Sequence, residues 1–60
     1  MACIKEMIKM RQEILESISR MTKDDLIDVA TTFGLSSSSR AHVRKMALAD
    51  EDIAEYVLMY

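Results

Sequence analysis

The chain has 60 residues, half of them hydrophobic, with one glycine, no proline and a formal charge of −2. Such a length allows a single domain. Cys3 and His42 each stand alone, which excludes a disulfide framework or a structural zinc cage, and the scarcity of Gly and Pro excludes a hairpin-rich β fold. What is left is a small all-α domain of three to four helices. Charged residues make up 30% of the chain, no apolar run approaches the roughly 20 residues of a membrane span, and Met1-Ala2-Cys3-Ile4-Lys5-Glu6 lacks the layout of a signal peptide. A cytoplasmic protein without membrane contact is therefore expected. A fold this small buries only about 60% of its unfolded surface, so a second copy or a protein partner is expected too.

The first helix is predicted from about Ala2 to Arg20. Ile4, Met7, Ile8, Ile14, Leu15, Ile18 and Met21 recur at steps of three and four, the spacing of one helical face, and Arg11 is the one charge on that stripe. At ~1.5 Å per residue this helix is close to 30 Å long, more than a compact 60-residue fold needs. Ile4, Met7, Ile8, Arg11, Ile14 and Leu15 are the candidate interface with a partner or a second copy.

The second helix, about Lys23 to Phe33, has a legible start and stop. Thr22 is placed to cap it, with Asp25 three positions on as the reciprocal member of a capping box, and Asp24 and Asp25 set negative charge at the positive end of the dipole. Leu26, Val29, Ala30 and Phe33 form its apolar face. Gly34 stands where a left-handed residue ends a helix, with Leu35 as the apolar residue that folds back.

Ser36-Ser37-Ser38-Ser39 follows, and Ser36 or Ser37 is the expected cap of a third helix ending near Leu48, so that helices two and three span about 23–48. With Val43 inward, 100° per residue puts Ser39, Met46 and Ala47 on its flanks and Ser38, Ala41, Arg44, Lys45 and Leu48 on the opposite side. Asp50-Glu51-Asp52 opens a fourth helix over about 51–60, with Ile53, Tyr56, Val57 and Tyr60 as its stripe. That helix is either continuous with the third or bent near Asp50.

Enzyme chemistry is not expected. Cys3 and His42 lie in different segments with no third group to orient them, one glycine cannot build a phosphate loop, and helix first turns account for most carboxylates. No metal and no cofactor are expected. Charge order is more informative. From Leu35 to Leu48 there are three basic residues, Arg40, Arg44 and Lys45, together with His42, four serines and no acid; from Ala49 to Tyr60 there are four acids and no base. A basic third helix beside an acidic fourth suits local phosphate contact. An ordinary solvated helix face explains the same charges without a ligand.

The stretch Val29-Ala30-Thr31-Thr32-Phe33-Gly34-Leu35 through Ser36-Ser37-Ser38-Ser39-Arg40-Ala41-His42-Val43 resembles a helix-turn-helix DNA-binding motif. A small Ala30 falls in the first helix, Phe33, Gly34 and Leu35 at the turn, a polar start to the recognition helix, and Val43 inward. The resemblance implies a central helix-turn-helix, double-stranded DNA as partner, and a role in transcription regulation at the nucleoid. It places Ser37, Ser38, Ala41, His42 and Lys45 at groove-facing positions, with Arg40 and Arg44 reaching phosphates. Arg40 occupies a position where the family has an inward aliphatic residue, so either its stem packs while its head snorkels, or the third helix is rotated. Met46-Ala47-Leu48-Ala49-Asp50-Glu51-Asp52-Ile53-Ala54-Glu55 is similar to the segment that follows the motif in plasmid-partition centromere-binding proteins, with Ala49 in place of their turn proline. A symmetric dimer of this kind sets two recognition helices about 34 Å apart, one turn of DNA.

Two other readings are compatible with the residues. Asp25-Leu26 through Gly34-Leu35, followed by Arg40 and Val43, resembles the SAP-type modules, which also bind DNA; there the serines are an extended connection and not a helical turn. A different class is a helical adaptor or inhibitor that docks the Ile/Met face of its first helix on another protein, since methionine adapts to uneven surfaces.

Overall fold

The computed structural model describes the backbone of residues 4–60 and the side chains of residues 9–60. Four helices and no strands occur among the described residues: α1 (Ile4–Arg20), α2 (Lys23–Phe33), α3 (Arg40–Ala49) and α4 (Glu51–Leu58). The all-α expectation is met, and each helix lies within a few residues of its predicted span.

Local chemistry sets the ends of α2. Thr22 is extended (φ −77°, ψ 169°), its Oγ1 accepts the Asp25 N–H at 3.2 Å, and Oδ2 of Asp25 accepts the Thr22 N–H at 3.0 Å, so the expected capping box is formed. At the other end Gly34 is left-handed (φ 65°, ψ 36°). The Leu35 N–H then reaches back to the Ala30 carbonyl at 2.8 Å and the Gly34 N–H to Thr31 at 3.4 Å, the paired bonds of a Schellman ending. Leu35 is brought back onto the edge of the core.

From there the chain departs from the sequence expectation. α3 is capped by Ser39, not by Ser36 or Ser37: the Ser39 Oγ accepts the His42 N–H at 3.2 Å. The Ser37 hydroxyl instead accepts the Ser39 N–H and donates to the Ser39 hydroxyl, both at 3.2 Å. The short turn that the helix-turn-helix resemblance implies is not what joins α2 to α3; residues 34–39 form a longer connection without regular secondary structure, left-handed at Gly34 and extended at Ser39. The reason lies in Leu35, Ser37 and Ser38, which are partly buried. Once the Schellman turn has folded Leu35 back, the chain must run along the domain before a helix can restart.

The boundary between α3 and α4 is a bend on one residue. Asp50 is extended (φ −128°, ψ 118°), closes α3 with its N–H on the Met46 carbonyl at 2.9 Å, and opens α4 with its side chain on the Asp52 N–H at 2.9 Å. Of the two arrangements left open by the sequence, the bend is the one adopted.

The core takes Ile14, Ile18 and Met21 from α1 and its exit, Leu26, Val29 and Ala30 from α2, Val43 and Ala47 from α3, and Ile53, Ala54 and Val57 from α4. The side chains buried most completely, Ile18, Val29, Val43, Ile53 and Val57, are all β-branched, so few rotamers are lost when they pack. α3 and α4 each pack on both α1 and α2, which meet through them. Ser17 is the polar member of the buried set; its hydroxyl donates to the Val57 carbonyl at 2.5 Å and ties α1 to the last turn of α4. Ile14 is core, 5% exposed, and is withdrawn from the candidate interface; Leu15 on the flank and Arg11 remain at the surface. The side chains of Ile4, Met7 and Ile8 lie outside the described residues. From 9 to 13 every side chain of α1 is exposed, more than a full helical turn.

Candidate nucleic-acid interface

Burial of Val43 and Ala47 fixes the rotation of α3, and with it which side chains face outward. Ala41, Arg44, Lys45 and Leu48 all lie on the exposed side, spaced i, i+3, i+4 and i+7. Arg44 and Lys45 therefore sit on one outward face beside a small residue, as the sequence projection expects. No acidic side chain occupies the first turn of α3, where partial positive charge from the unpaired N–H groups accumulates.

The other candidate residues are placed differently. Ser37, Ser38 and His42 are half-buried around the connection, and the Ser36 hydroxyl lies 3.5 Å from Nε2 of His42. Ser37 spends its hydroxyl on Ser39, and His42 leans toward the serine segment. Arg40 turns across to α1, where Nη1 donates to the Ile18 carbonyl. Arg40 is exposed at the domain edge, and its guanidinium finds a polar partner at the end of α1. Arg44, Lys45 and Ala41 thus form one surface, with Arg40 on its α1 side and the serines at its N-terminal end.

A second polar constellation, not anticipated from the sequence, joins α2 to α4. Asp28 Oδ2 accepts the Tyr60 hydroxyl and, at 2.7 Å, the Tyr56 hydroxyl. Phe33, Tyr56 and Tyr60 stack edge to face, with centroids 5.4 Å and 5.8 Å apart. Donation from Tyr60 first, and Tyr56 second, holds the Asp28 carboxyl below its ordinary 3.8. The hydrogen bond to Asp28, aided by burial, pushes the Tyr60 phenol above its ordinary 10.0. The sequence contains no signal for this link, because its members are 28 and 32 residues apart.

Among the described residues no group of three or more His, Cys, Asp or Glu could hold a metal ion. No helix among them is long and apolar enough to cross a membrane. Glu13, Glu16, Arg20 and Leu58 border a shallow groove between α1 and α4, but the Ser17 hydroxyl at its floor is already committed to Val57. Comparison with protein-family models, with curated proteins and with solved structures finds no match.

Proposed function

We propose that the chain is a small DNA-binding regulator, not an enzyme, that lays the outward face of α3 against duplex DNA and acts as a homodimer at the nucleoid. α2 and α3 serve in the roles of a helix-turn-helix pair, with the connection at 34–39 longer than that motif's turn. The observation that carries the reading is the pairing of Arg44 and Lys45 on one exposed face of a helix anchored from behind by Val43 and Ala47. Such a helix presents two cations in a fixed direction with a small side chain, Ala41, leaving room for close approach. With no Asn or Gln on α3, binding rests mainly on phosphate contact. The acids of α4, exposed at Glu51, Asp52 and Glu55, confine that contact to one side of the molecule.

The test is the salt dependence of duplex affinity. Arg44→Ala and Lys45→Ala should each weaken binding several-fold and lower the slope of log K against log salt by about 0.9, the value for one lost phosphate contact on B-DNA. Absence of duplex binding at low salt by the folded wild-type chain rejects the reading.

A second reading is an adaptor or inhibitor that docks the Ile/Met face of α1 on a partner protein; in its favour, α1 contributes no side chain to the core between 9 and 13, where Met10 and Arg11 are exposed. Arg11→Glu and Leu15→Glu separate the possibilities, since neither residue is buried in the core. Loss of a heterologous complex with DNA binding intact favours the adaptor. Dissociation of a homodimer with weakened DNA binding favours the regulator. Ile14 is unsuitable for this purpose, because a charge at a position 5% exposed unfolds the domain.

A further inference from the structure

We infer that Arg40 is a positioning residue that sets the angle of α3 against α1, and not one of the phosphate contacts; this rests on the DNA-binding reading of α3. The last carbonyls of a helix have no partner within it. At the end of α1 the Ile18 carbonyl takes the Met21 N–H at 3.2 Å and also the Nη1 donor of Arg40, which comes from 22 residues further along the chain. A guanidinium placed there makes a charge-assisted hydrogen bond and lies at the negative end of the α1 dipole, two favourable terms that act on one geometry. Arg40 is also the first residue of α3, directly after the Ser39 cap. Its contact therefore pins the start of the helix at the point where the connection over 34–39 ends. Val43 and Ala47 fix the rotation of α3 about its own axis. Arg40 adds a tether at one end, and so determines the direction in which Arg44 and Lys45 point.

The distinction has a measurable signature. A phosphate contact contributes to the number of counterions released, whereas a tether inside the protein does not. For Arg40→Ala we expect amide exchange at the start of α3 and the end of α1 to speed up by about tenfold, as the loss of a charged hydrogen bond implies. Duplex affinity should fall about three- to tenfold, with the salt slope equal to that of the wild type. Arg40→Lys, which keeps a cation able to donate to a carbonyl, should recover part of both losses. Ser17→Ala is the control: it loosens the α1–α4 contact to a similar degree but leaves duplex affinity unchanged at temperatures where the protein is folded. A salt slope lowered by about 0.9 in Arg40→Ala, with exchange rates unchanged, makes Arg40 a phosphate contact and overturns the inference. Equal weakening of binding by Ser17→Ala overturns it as well, because general stability then explains the effect. If the wild type does not bind duplex, the DNA-binding reading fails on its own, and unchanged exchange in Arg40→Ala decides against the tether independently.

Discussion

The Tyr60 hydroxyl donates to Oδ2 of Asp28, the same oxygen that receives the Tyr56 hydroxyl at 2.7 Å. One carboxylate oxygen of α2 thus holds both tyrosines of the C-terminal segment. The Asp28 carboxyl is lowered in the folded state, so its contribution is present at pH values above its ordinary 3.8 and is lost as pH falls through the folded value. The Tyr60 phenol is raised, so its contribution is present below its ordinary 10.0 and is lost as pH rises through its folded value. The Asp28 side-chain carbon followed by NMR should titrate with a midpoint below 3.8. Asp28→Asn should remove this pH dependence and bring Tyr60 ionisation, read by ultraviolet absorbance, back toward 10.0. A Tyr60 titration unchanged by Asp28→Asn would show that the pair does not form.

Gly34 provides a second prediction. A Cβ built there meets nothing within 4 Å, so the need for glycine comes from its backbone angle alone, φ +65°. Gly34→Ala should therefore destabilise the domain by about 1–2 kcal/mol, the left-handed penalty of an L-residue, without repacking the core. For a chain of this size a loss of about 1 kcal/mol lowers the melting temperature by roughly 4–8 °C. Asn tolerates this conformation better, so Gly34→Asn should melt between the wild type and the Ala variant.

The shift of the α3 cap from Ser36 or Ser37 to Ser39 can be tested with single alanines. Ser39→Ala removes the acceptor of the His42 N–H and should cost about 1 kcal/mol in urea unfolding. Ser36→Ala removes only a long contact to the His42 ring at 3.5 Å and should stay within about 0.5 kcal/mol of the wild type. If the two changes cost the same, the helix starts earlier than Arg40.

What the residues by themselves determined was local. Thr22 with Asp25, Gly34 with Leu35, and Asp50 ahead of Asp52 act over two to five residues, through backbone N–H and carbonyl groups whose positions follow from the helix itself. The inward faces of α2 and α3 were legible for the same reason: a 3.6-residue period names them without knowledge of the neighbour; on α4 it named Ile53 and Val57, whereas Ala54 is buried and Tyr60 is 45% exposed. Even the outward face carrying Arg44 and Lys45 needs only Val43 as origin.

Three decisions belonged to the tertiary structure. Ser17 meets Val57 across 40 residues, Arg40 meets Ile18 across 22, and Asp28 meets Tyr60 across 32. Each pairs a side chain with a group that only the packing of α1, α2, α3 and α4 brings within reach. No spacing rule connects such residues, because the connecting chain turns at Thr22, at 34–39 and at Asp50 before they meet. The same packing moved the start of α3, since burial of Leu35 outweighed the capping preference of the earlier serines. Periodicity and capping are properties of a segment, and a segment carries no record of which surface it will meet.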